Sequence, residues 1–156
     1  MVSKDVLTQV VSKLSYPIII ADNEGNFEFL NAKASDILKL PKDFADKSTW
    51  ENFFVVKDLQ DELILIDNYP IMKALRGEEV KGDKIILSNT QDQSKTYITV
   101  DSFPLYGEDK RQIGAVVVMN DISDKVKLEN ILKEVGEKLD KIKDHLESTL
   151  HPNYIV

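Results

Sequence analysis

Apolar and polar positions follow two different periods along this chain, and each change of period marks an element. In residues 4–14, KDVLTQVVSKL, Val6, Val10, Val11 and Leu14 share one helical face, which predicts a short amphipathic helix. Pro17 to Ala21 and Phe27 to Leu30 are β-rich runs on either side of Asn23-Glu24-Gly25-Asn26, the pattern of a hairpin. Asn31 stands where it can cap a helix over AKASDILKL; Ala34, Ile37 and Leu38 share a face there, and Pro41 ends it. In STWENFF, Ser48 and Glu51 have capping-box spacing ahead of an apolar face of Trp50, Phe53 and Phe54. NYPIMKALRG sets Pro70 just inside a helix start and Gly77 just past its end. Three further strands are predicted at 84–88, 96–103 and 112–120, separated by the polar turns NTQDQ and YGEDK.

From Asp121 onward the period becomes helical with no linker between. Leu128, Leu132, Val135, Leu139, Ile142 and Leu146 recur at alternating spacings of four and three, a heptad seam of nearly three repeats. A helix over 122–148 is roughly 40 Å long. Its stripe has to be buried on its own domain or on a partner. A helix of that length overshoots a small sheet, so its far half is expected to meet a second chain. With Leu132 at position a, Lys138 falls at g and Lys143 at the following e, so a parallel dimer brings like charges together. Gly136, in mid-helix, costs about 1 kcal/mol relative to Ala.

The element order is strand-strand, short helices, three strands and a long helix. This predicts an α+β fold: a five-stranded antiparallel sheet covered on one face by the short helices. The chain divides into an N-terminal amphipathic cap helix (1–14), a core (15–121), a coiled-coil helix (122–148) and a tail (149–156).

Composition narrows the chemistry. The 156 residues are 42% hydrophobic and 30% charged, as in an ordinary globular protein, and suffice for one core. A net charge of −7 argues against binding a nucleic-acid backbone, which relies on clustered Lys and Arg. Without cysteine there is no disulfide, no thiolate-held metal and no thiol nucleophile. No apolar run approaches the ~20 residues of a membrane span, and the N-terminus lacks an apolar signal core, so a cytoplasmic location is expected.

The front segment PIIIADNEGNFEFLN and the back segment GAVVVMNDIS, in this order, resemble the PAS domain over about residues 12–123. Pro17, Asp22, Gly25, Phe27 and Asn31 carry the front pattern. Pro104, Gly114 and the triplet Asp121-Ile122-Ser123 carry the back one. The resemblance implies a sensory or interaction module, usually dimeric, that signals to an attached effector or partner protein through its C-terminal helix. It makes Asp121, Ile122 and Ser123 the junction that couples sheet to helix. Read from the residues alone, Asp121 is a helix cap worth about 1 kcal/mol, and the two readings are compatible.

The resemblance also implies a pocket between sheet and helices. Trp50, Phe54, Tyr69, Met72, Leu75, Val117 and Met119 are its candidate lining for a small organic ligand, and the same residues suit a simply filled core. Flavin-binding members that form a cysteinyl adduct need a cysteine, absent here, and a glutamine where this chain has Met119. Haem-binding members commonly use a histidine on the helix at 70–76, which here reads PIMKALR; Met72 at helical spacing reads as core. His145 and His151 lie in the C-terminal stretch. DHLEST around His145 lacks the acidic residue that follows a phosphoacceptor histidine, and a solvated helix histidine is the better reading. With no phosphate loop, metal-spaced cluster or catalytic triad, no enzyme is expected. The expected function is a dimeric sensory module. The rival readings are a ligand-free dimerisation or docking module, or part of a sensor histidine kinase or transcription regulator.

Overall fold

The structure, a computed structural model, describes residues 9, 12–40, 50 and 52–154, with side chains as far as residue 149. Its strands are β1 (Ile18–Asp22), β2 (Phe27–Leu30), β3 (Phe54–Lys57), β4 (Val80–Asn89), β5 (Lys95–Tyr106) and β6 (Gln112–Asp121). Helices α1 (Ala32–Leu38) and α2 (Pro70–Leu75) fall between strands, and α3 (Ser123–Tyr154) follows them. The strands form one sheet of order β2-β1-β6-β5-β4-β3, antiparallel at every pairing. The chain divides into two units, residues 1–122 and 123–156.

The sheet has six strands where the sequence predicted five. The extra one is β3, which takes only Phe54 from the segment read as a helix and adds Val55 to Lys57, which the pattern assigned to no element. Trp50 and Asn52 do lie in a 3₁₀ turn, but Phe54, Val55 and Val56 extend and pair with Asn89, Ser88 and Leu87 on β4. Two β-branched valines beside a phenylalanine favour the pleated edge over another helical turn. The capping-box residues Ser48 and Glu51 lie outside the described residues. So does most of the predicted N-terminal helix: Gln9, Ser12 and Lys13 are helical, and Leu14 lies in an exposed bend. Helix α3 continues to Tyr154, beyond the expected end at 148 and through most of the predicted tail.

The hairpin turn forms as its residues dictate. Asp22 Oδ1 accepts from the amides of Glu24 and Asn26 at 2.9 and 3.0 Å, while Gly25 takes a positive φ of 89°. Asn31 caps α1 through Oδ1, which accepts from Ala34 N at 2.9 Å. Pro70 opens α2 as expected, and the helix is latched to the sheet at two points. Ser102 Oγ on β5 donates to Pro70 O at 2.8 Å, and Gln112 Nε2 on β6 donates to Ala74 O at 2.8 Å. The second bond falls on a carbonyl that already accepts from Gly77 N at 2.9 Å, using its other lone pair at the helix end. Both short helices therefore sit at fixed places over one face of the sheet, and the core lies between.

Candidate functional site

The inner sheet face supplies alternate residues of each strand, Ile19 and Ala21 on β1, Ile98 and Val100 on β5, Val117 and Met119 on β6. Above them Trp50 is 1% exposed and central to an aromatic cluster. Its ring lies 5.1 Å from Phe27, 6.2 Å from Phe54 and 6.2 Å from Tyr69, the last nearly parallel at 7°. The Tyr69 hydroxyl accepts from Val56 N at 3.3 Å and so ties the start of α2 to the edge strand. The indole Nε1 of Trp50 is buried with no hydrogen-bond partner.

A cavity of about 50 Å³ remains among these side chains. Of the residues singled out from the sequence, Trp50, Phe54, Tyr69, Val117 and Met119 line it. Met72 and Leu75 do not: α2 turns Pro70 and Ile71 toward the cavity and buries Ala74, leaving Met72 and Leu75 half-buried at its flanks. A helix of six residues shows too little of its period to fix which face is buried. Phe27, Ile98 and Val100 also line the cavity and were not singled out. Strand alternation in TYITV and the inward parity of Phe27 carry the signal that would have found them.

The cavity wall is apolar, and small-molecule sites typically enclose about 300–1,000 Å³. A flavin or haem does not fit these residues. There is no room for a ring system, the lining residues include no cysteine, histidine, asparagine or glutamine, and Met119 occupies the place of the flavin-binding members' glutamine. Among the described residues no group of His, Cys, Asp and Glu is arranged to hold a metal ion. An open groove of about 410 Å³ lies instead at one end of the sheet, between Tyr16, Asp36, Ile37 and Asp121.

At the predicted junction, Asp121 is the last residue of β6 and pairs with Ile98. Ile122 N donates to Tyr97 O at 2.8 Å, and Ser123 opens α3. The strand therefore becomes the helix across a single residue, itself bonded to the sheet. Within α3 the six seam residues are 47–61% exposed, and Ile131 beside them is 46% exposed.

This architecture is the PAS-domain fold. The PAS domain of a protein from Colwellia psychrerythraea superposes with a TM-score of 0.54 at 18% identity, covering 77% of this chain and 99% of that one. The PAS domain of an HTR-like protein from Haloarcula marismortui gives 0.52 at 18% identity, over 74% and 88%. That of nitrogen regulation protein NR(II) from Vibrio parahaemolyticus gives 0.52 at 14%, over 78% and 100%. No family model and no curated protein matches the sequence. No helix among the described residues is long and apolar enough to cross a membrane.

Proposed function

We propose that this chain is the sensory or regulatory module of a cytoplasmic signal-transduction protein. It dimerises and passes a change in its core or sheet to its C-terminal helix, and carries out no catalytic step itself. The observation that carries this reading is the junction. Residue 122 is the whole distance between strand and helix, and its amide is a rung of the sheet. A shift in the last strand then has no slack in which to be lost before Ser123. For a stimulus to act, it must favour one arrangement of the helix over another by differential affinity. The PAS domain of nitrogen regulation protein NR(II) supports the fold-level analogy.

A second reading, a dimerisation or docking module with no ligand, is favoured by the size of the cavity. An apolar space of about 50 Å³ fits only a few atoms and is expected to stay dry. Native mass spectrometry set against the denatured mass separates the two. Mass in excess of whole subunits favours the ligand-sensing form; two bare chains favour the docking form. A bare monomer at every accessible concentration counts against dimerisation in both.

A further inference from the structure

The apolar stripe of α3 is exposed from Leu128 to Leu146, and the charges beside it choose a partner orientation. With Leu132 and Leu139 at a, and Leu128, Val135 and Ile142 at d, the flanking e positions are Glu129, Gly136 and Lys143. The flanking g positions are Asp124, Ile131, Lys138 and His145. In a parallel pair each g faces the following e of the other helix. Asp124 then meets Glu129 of the second copy, and Lys138 meets Lys143 of the second copy; symmetry doubles both, giving four like-charge pairs.

Reversing one helix changes the sign. Position e then faces e and g faces g, so Glu129 meets Lys143 of the second copy at both ends. Ile131 meets His145, and Gly136 lies beside its own equivalent, where nothing of its own chain stands within 4 Å of an added Cβ. Lys138 opposite its own copy is the one like pair. The seam matches in this register with no residue left over: Leu128 faces Leu146, Leu132 faces Ile142, and Val135 faces Leu139. Overlap is complete as well, since residue 123 stands opposite residue 151 within helices that run to Tyr154.

We propose that α3 is a self-complementary docking surface for a second copy of this chain, paired antiparallel in this register. The proposal rests on the dimer reading above and adds its geometry. It places the C-terminal end of each helix beside the start of the other, so the signal-bearing ends point apart.

The chain has no cysteine, so single labelled cysteines report cleanly. Asn130, Glu137 and Asp144 all occupy f, on the outer face of a coil. Spin labels on Glu137→Cys stand at mid-register, give the same separation in either orientation and read dimerisation alone. Mixed Asn130→Cys and Asp144→Cys chains are expected to give a short distance. Asn130→Cys alone gives one lengthened by an axial offset of ~21 Å, at 1.5 Å per residue. A short distance between two Asn130→Cys labels, with coupling at Glu137→Cys, overturns the orientation and leaves the dimer standing. No coupling at Glu137→Cys overturns dimer and orientation together. Charge reversal gives an independent sign: Lys143→Glu is expected to weaken the antiparallel dimer about tenfold. In a parallel dimer the same change pairs Glu with Lys138 and tightens association, which would sink the proposal.

Discussion

Asn31 holds the backbone of Ile18 with the same oxygen that caps α1. Its Oδ1 accepts from Ile18 N at 3.0 Å and from Ala34 N at 2.9 Å, while Nδ2 donates to Tyr16 O at 2.8 Å. The side chain is buried, so none of these bonds is readily replaced by water. A residue read from sequence as a local cap thus also fixes where β1 begins, thirteen residues earlier.

Asn31→Ala is expected to lower stability by about 2–4 kcal/mol. Loss of the cap contributes about 1, and the buried Ile18 amide left without an acceptor adds about 1–3. Chemical denaturation checks the magnitude. A loss under 1 kcal/mol would mean the Ile18 bond is replaced or was never worth much. Asn31→Asp tests the donor half alone, since it keeps the acceptor oxygen and sets a carboxylate against Tyr16 O.

Gly114 is required by a close approach between strands. A Cβ there would sit 2.1 Å from Ala21 O and 3.2 Å from Ala21 C, both backbone atoms of the neighbouring strand. Neither can swing aside as a side-chain tip would. Gly114→Ala is expected to part β1 from β6 at the Asp22 end and to cost about 3 kcal/mol. Hydrogen exchange should show the amides of 20–22 opening first. Unchanged protection there would contradict the close approach.

Trp50 is the only tryptophan, which makes its environment directly measurable. An indole packed against three aromatic rings, with its N–H unpaired, should emit strongly blue-shifted and resist quenching by iodide. Emission near that of free indole in water would show the ring is not enclosed. Trp50→Ala is expected to cost about 3–5 kcal/mol and to enlarge the cavity. Trp50→Phe should cost less than its lost volume suggests, because it also removes an unsatisfied donor.

Two exposed carboxylates are held below their usual range by lysines. Lys39 Nζ lies 2.5 Å from Asp92 Oδ2, and the Ser94 hydroxyl and amide add to its effect. For Asp61 the main cause is the 2.8 Å hydrogen bond from Lys95, reinforced by the charge of Lys57. Folding that favours the ionised form stabilises the native state above the ordinary carboxylate value of 3.8. The gain disappears as the pH falls through the lowered native value. Solvent screens both pairs, so the effect on stability is small and the titration itself is the better measurement. In Lys39→Met, the carboxyl carbon of Asp92 should titrate closer to 3.8 by NMR. An unmoved midpoint would show the lysine is not the cause.

The parts of the fold legible in the sequence were those with local signatures. Asn31 before an apolar face, Pro70 with Gly77 around a helix, and the Asp22–Asn26 turn each state their structure within a few residues. The heptad spacing of α3 is legible for the same reason. What failed needed information from across the chain. In FFVVK a short apolar run reads equally as helix or strand, and only pairing with β4 settles it as β3. Met72 and Leu75 were assigned to the pocket although the latches from Ser102 and Gln112 turn α2 the other way. The size of the cavity is set jointly by side chains from the sheet, both short helices and Trp50, and no single segment encodes it.

The relay itself makes a prediction that needs no knowledge of the stimulus. The Ile122 amide donates to Tyr97 O, so its exchange reports whether the end of the sheet stays closed. If strand and helix move as one, then dissociating the helices by dilution should change exchange at 120–122. Exchange at Val56, on the far edge strand, should stay the same. Two glycines inserted between Ile122 and Ser123 should abolish that dependence while leaving the Ile122 bond intact, because the added freedom absorbs the motion. If Asp121 stiffens the turn from strand to helix, Asp121→Ala should weaken the dependence without removing it. Exchange at 120–122 that ignores the association state of the helix in the unaltered chain would refute the relay, whatever the insertion does.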